Sequence, residues 1–108
     1  MKRGELYRVH RANIDDPRNQ RVYLIVSRQE VINNHFPTVV CAPIRTKFGS
    51  LPTQVEIGVD EGLKHDSAVY CDDLTRIDKS KLTNYVGSLS YTKMQEVNIA
   101  LRIALATG

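Results

Sequence analysis

At 108 residues the chain has room for one compact domain, read as residues 1–108, and too little for two independent cores. Its 42% hydrophobic and 25% charged residues suit a globular protein, and no apolar run approaches the roughly 20 residues needed to cross a bilayer. The net charge of +3 permits binding to a polyanion without establishing it. Behind the basic start Met1-Lys2-Arg3 there is no apolar leader segment, so the expected location is the cytoplasm.

In chain order, residues 5–10 alternate, with Glu5, Tyr7 and Val9 on one face and Leu6, Arg8 and His10 on the other, which predicts a strand. Residues 13–20 are polar and contain Pro17, the composition of a loop. Val22-Tyr23-Leu24-Ile25-Val26 reads as a strand buried on both faces. A single helical turn over 29–34 precedes Pro37, and residues 38–44 form another buried strand. Residues 45–52 make a basic, glycine-containing loop, followed by a half-buried strand over 53–57. Asp60-Glu61-Gly62 marks a turn, 67–71 a strand and 74–77 a further extended piece. Residues 79–85 are expected as a short helix and 86–89 as a small strand. Ser90 can cap a last helix in which Met94, Val97, Leu101, Ala104 and Leu105 recur at helical spacing. Short strands with one terminal helix predict a mainly β fold, a small barrel or rolled sheet with a helix packed on it.

Cys41 and Cys71 lie in apolar stretches. They read either as a disulfide, if their strands are neighbours, or as two buried thiols that a cytosolic chain keeps reduced. With His10, His35 and His65 scattered and no paired-ligand spacing, no zinc site is expected.

The order of several sequence words carries more. Lys2-Arg3-Gly4-Glu5-Leu6-Tyr7, Arg21-Val22-Tyr23-Leu24-Ile25-Val26-Ser27 and Pro37-Thr38-Val39-Val40-Cys41-Ala42-Pro43-Ile44 are followed by Pro52-Thr53-Gln54-Val55-Glu56-Ile57. Gly62-Leu63-Lys64-His65-Asp66-Ser67-Ala68-Val69, Thr75-Arg76-Ile77-Asp78-Lys79, Gly87-Ser88-Leu89-Ser90 and Met94-Gln95-Glu96-Val97 complete the set. Across nearly the whole chain this pattern resembles the MazF/PemK/Kid toxin family. The resemblance implies an SH3-like small β-barrel with a C-terminal amphipathic helix, working as a homodimer. It also implies the toxin of a type II toxin–antitoxin system, a ribosome-independent mRNA interferase that cuts single-stranded RNA. A small antitoxin would neutralise it by laying a tail across the active groove. In that chemistry the substrate's own 2′-hydroxyl attacks, leaving a 2′,3′-cyclic phosphate and a 5′-hydroxyl. No metal and no cofactor are needed, no membrane is involved and DNA is not cleaved.

Such a reaction needs help with the 2′-hydroxyl proton, a cation for the phosphate and help for the leaving oxygen. Arg21 stands where the polar loop meets a buried strand, and by resemblance it occupies the family's catalytic arginine position. Its fork suits two phosphate oxygens, but an arginine is never readily deprotonated, so its role is charge stabilisation. The family usually has a threonine straight after the central strand, where this chain has Arg45-Thr46. Thr46 is preferred as a hydroxyl donor to the phosphate, with a loop-capping role as the other reading; the alternative for Arg45 is a second cation for the phosphate. Asp72 matches a strand-end acid that some members place in the active site, accompanied there by an arginine where this chain has Tyr70. Asp72, His10 and His65 are candidate bases. Arg18, Arg45 and Lys47 are expected to contact RNA, with Phe48 either stacking on a base or plugging the barrel. Arg8, Arg11 and Arg28 read as solvated surface.

Two rival functions share the fold. CcdB-type toxins resemble this family but bind DNA gyrase through a C-terminal tail containing tryptophan, and this chain has no tryptophan. The other is a non-cleaving RNA- or partner-binding barrel, suggested by Arg45 and Tyr70 in place of the usual residues.

Overall fold

The computed structural model describes residues 1–10 and 20–107. Among them are β1 (Glu5–His10), β2 (Gln20–Ile25), α1 (Gln29–Asn33), β3 (Thr38–Arg45), β4 (Gln54–Ile57), β5 (Ser67–Tyr70), β6 (Thr75–Asp78), β7 (Asn84–Ser88) and α2 (Tyr91–Ala104). The loop expected from residue 13 falls, through residue 19, outside the described residues. All the described strand pairs are antiparallel, in the order β4-β5-β3-β2-β1-β7, with β6 joined to β3.

β3 organises this sheet. One edge pairs with β2, while the other pairs with β6 over residues 38–41 and with β5 at Ile44 and Arg45. β5 and β6 are therefore two halves of one run along β3, broken by a tight 3₁₀ turn at Cys71–Asp73. The break lets the sheet curl into a half-barrel, the mainly β architecture that the short strands predict.

The alternation of β1 sets its two sides. Leu6 enters a core with Leu24, Ala42, Ile44, Val69 and Val97, whereas Tyr7 and Val9 enter a second with Tyr23, Ile25, Val39 and Cys41. Both faces of β2 and β3 are covered, so their sequences read as unbroken apolar runs.

α2 covers the first core because Val97 and Ala100 are buried on one stripe, with Met94, Leu101 and Ala104 half-buried beside them. Ser90 caps it, its hydroxyl accepting from the Lys93 amide at 3.2 Å, a contact worth about 1 kcal/mol. Burying a side chain such as Val97 contributes about 1.5–3 kcal/mol more. Leu105, expected on the apolar stripe, is instead the C-cap and is exposed; the helix has ended, so its spacing no longer places it inward.

The short helix expected over 79–85 is only a 3₁₀ turn at Lys79–Lys81. Lys79 Nζ donates to the carbonyls of Val31 and Asn34 at 2.7 and 2.8 Å, tying this segment to the end of α1. Leu82 is buried in the second core and the backbone extends into β7 at Asn84. Packing of Leu82 wins over local helix preference.

The turn after β4 closes the curl against β7 by backbone contact. Gly62 sits at φ +99°, and a Cβ there would lie 2.5 Å from the Val86 carbonyl oxygen. A Cβ on Gly87 would lie 2.0 Å from the carbonyl oxygen of Glu61.

Cys41 and Cys71 are both free and buried, one in each core. Burial pushes the Cys41 thiol up to about 12, and burial with the nearby Asp72 charge pushes Cys71 to about 11, from an ordinary 9.0. Neither thiol is expected to react with an alkylating reagent at pH 8 until the protein unfolds, as read by mass shift with and without denaturant. Modification of the native chain would contradict this packing. The folded state holds these protons more tightly, so their stabilisation is complete below about pH 9 and is lost as pH rises through about 11 to 12. Among the described residues no helix is long and apolar enough to cross a membrane.

Candidate active site

The end of β1, the start of β2, the end of β3 and the start of β5 meet at one end of the sheet. The β2–β3 register runs Tyr23↔Pro43, Leu24↔Ala42 and Ile25↔Cys41. Arg21 and Arg45 lie just beyond these pairs and line one recess together. Gathering like charges in one place is destabilising, so this arrangement does not serve the fold.

A cavity of about 510 Å³ opens there, walled by Arg8, Arg21, Arg45, Lys47 and Lys64 with Thr46, Ser67 and His65. Among the described residues no carboxylate lines it. A concave surface of one sign focuses field and gathers counter-charge. A smaller recess of about 200 Å³ shares Arg21 and Arg45 and adds Tyr23, Asp73 and Thr75.

Each cation is placed by a local cause. Arg21 lies in β2 directly before the buried run, so its stem is enclosed; its Nε is buried and has no hydrogen-bond partner among the described residues. Arg45, the last residue of β3, donates from Nη1 to Asp73 Oδ2 at 3.1 Å and lies over the Tyr70 ring, 4.9 Å from its centroid. The Tyr70 hydroxyl donates to the Lys47 carbonyl. Arg8 pairs with Val22 in the β1–β2 register, which brings its side of β1 to the cavity. Lys64 and His65 arrive on the segment after Gly62, where Ser67 Oγ donates to the His65 carbonyl at 2.9 Å.

Of the residues expected to form the site, Arg21, Arg45, Thr46 and Lys47 are brought together. Asp72 is not among them. Its Oδ2 accepts from Thr53 Oγ1 at 2.6 Å, in a turn outside both linings. The neighbouring Asp73 reaches the site instead, because the 3₁₀ turn points successive side chains apart. Phe48 is 40% exposed, so it does not plug the barrel, and it is not in the cavity wall. Arg18 lies outside the described residues. Arg8, read from the sequence as solvated surface, belongs to the cavity; its place opposite Val22 is set by the strand register, which the alternation alone does not give. Lys64 was not singled out, although it sits within the Gly62-to-Val69 word. Of the three candidate bases, His65 lines the cavity and His10 and Asp72 do not. Among the described residues no three His, Cys, Asp or Glu side chains converge as they would to hold a metal ion.

Shape and charge together define a half-barrel with a cationic cavity, and the comparisons with known proteins specify which kind. The family model described as the PemK-like, MazF-like toxin of type II toxin-antitoxin system matches residues 2–105. The chain is 32% identical over 110 residues to the endoribonuclease EndoA of Bacillus subtilis (strain 168), covering 98% of this chain and 95% of that protein. It is 29% identical over 109 residues to the endoribonuclease MazF of Staphylococcus saprophyticus, covering 97% of this chain and 91% of that one. Its fold superposes with a TM-score of 0.85 and 28% identity on an endoribonuclease solved in complex with its cognate antitoxin from a mycobacterial species, covering 100% and 97% of the two chains. The chain belongs to the PemK/MazF toxin family.

Proposed function

We propose that residues 1–108 act as one toxin domain, a cytoplasmic endoribonuclease that cuts single-stranded mRNA without a metal. The observation that carries this reading is the gathering of Arg21 and Arg45 in a cavity whose described lining has five cations and no carboxylate. The substrate's 2′-hydroxyl oxygen attacks the adjacent phosphorus and the bond to the 5′-oxygen breaks. Arg21 stabilises the charge that grows on the phosphate, through donors fixed before substrate arrives. Thr46 gives a hydroxyl donor to a phosphate oxygen. His65 is the imidazole of the described lining and takes the 2′-hydroxyl proton. The leaving oxygen takes up a proton from water, giving a 5′-hydroxyl end beside a 2′,3′-cyclic phosphate. Arg8, Lys47 and Lys64 hold flanking phosphates, and the exposed Phe48 ring offers a base a surface to stack on.

The chain works as a homodimer and is silenced by a small antitoxin. An antitoxin partner is supported by the mycobacterial relative solved in complex with its own, and a segment of such a partner laid in the cationic cavity would exclude RNA.

The test is incubation with a long unstructured RNA in EDTA, followed by end-group mapping. Discrete fragments with 5′-hydroxyl and cyclic phosphate ends are expected, and a single 2′-deoxy substitution at the cut site should prevent cleavage. Bound but uncut RNA would leave a pure binder, and cutting that stops with chelator would require other chemistry.

A further inference from the structure

We propose that Tyr70 is a positioning residue for RNA cleavage, holding Arg45 on its ring and the Lys47 backbone on its hydroxyl so that Thr46 is presented between two anchors. The proposal rests on the endoribonuclease reading above.

β3 ends at Arg45, and Thr46, Lys47 and Phe48 follow as exposed residues outside any helix or strand. A segment of this kind samples many conformations unless it is tied at both ends. The far end is tied by Gln54, whose Oε1 accepts from the Gly49 amide at 2.7 Å. The near end is tied by Tyr70. The Arg45 guanidinium lies 4.9 Å from the ring centroid, within the range of a cation–π contact. The hydroxyl of the same side chain donates to the Lys47 carbonyl. Both anchors meet in one strand pair, because Gln54 and Tyr70 are register partners of β4 and β5.

The position has no core role that would otherwise explain a large aromatic there. Tyr70 is half-buried and belongs to neither apolar cluster. Asp73 completes the support, bonding Arg45 through Nη1. That ion pair is exposed and weak by itself, and an oriented fork with other donors left for a phosphate is the useful result. Tyr70 thus acts through Arg45 and Thr46 without itself lining the cavity.

Steady-state cleavage should be compared for the wild type, Tyr70→Phe, Tyr70→Leu, Arg45→Met and the Arg45→Met/Tyr70→Leu double variant. Tyr70→Leu is expected to lower kcat by on the order of 100-fold with KM changed less than about threefold, the mark of lost positioning. Tyr70→Phe keeps the ring and should recover part of that loss. In the Arg45→Met background the Tyr70→Leu substitution should cost less than it does alone, because one of its two targets is gone. Independently of catalysis, amide order parameters of Thr46 and Lys47 should fall from about 0.85 in the wild type toward about 0.6 in Tyr70→Leu. An active wild type with unchanged kcat in Tyr70→Leu overturns the positioning role, as does unchanged loop order. An inactive wild type whose loop loses order in Tyr70→Leu would sink the nuclease reading, and the cleavage role with it, while leaving the two-point anchor standing.

Discussion

Arg21→Met should lower the cleavage rate by on the order of 100- to 1000-fold, the usual effect of deleting one preorganised donor to a developing anion. The same substitution should leave the melting midpoint unchanged or slightly higher. It shares a cavity and a recess with Arg45, and its buried Nε has no partner among the described residues. Removing an unsatisfied buried donor and one of several gathered like charges both favour the folded state. Activity and stability should therefore move in opposite directions, which a fold-bearing arginine could not do. Arg21→Lys should restore little activity, because a single ammonium cannot present a planar fork to two phosphate oxygens. Single-turnover kinetics with a thermal melt of each variant decide the matter. Full activity in Arg21→Met would remove this residue from the reaction.

Gly87→Ala should produce the largest loss of stability, about 3 kcal/mol, seen as a fall in melting midpoint of roughly 15–20 °C. The added Cβ would stand 2.0 Å from the Glu61 carbonyl oxygen and 2.9 Å from its carbon. These are backbone atoms of a turn that is itself fixed, with Glu61 Oε1 accepting from the Gly58 amide at 2.6 Å. Neither side can yield without separating β7 from the turn that follows β4. Gly49→Ala is the internal control: its Cβ would meet only the end of the Gln54 side chain, at 3.2 Å, and that side chain can shift. Activity should fall further in Gly87→Ala than unfolding alone explains, because the displaced turn leads directly into Lys64 and His65. Equal midpoints for the two variants would show that the contact at β7 is not what closes the curl.

The strands, the capped terminal helix and the sidedness of β1 could be read from spacing, because a period of two or of three to four residues is a property of the local backbone. Arg21 could be read as an anchored cation from its place between a polar stretch and an apolar run, and as a site residue only through the family resemblance. Arg8 and Lys64 could not, since a strand pattern says which face a side chain takes and not which loop arrives beside it. The choice of Asp73 over Asp72 turned on a 3₁₀ turn between two halves of one strand, invisible in composition. Arg45 and Tyr70, two of the places where the chain departs from the pattern it resembles, are 25 positions apart and touch each other. Local chemistry set the elements, and the resemblance pointed to Arg21, Arg45, Thr46 and Lys47. The assembly of five cations, two hydroxyls and an imidazole around one cavity came from pairing distant strands, because contacts between remote segments are decided by how both faces of the sheet are buried together.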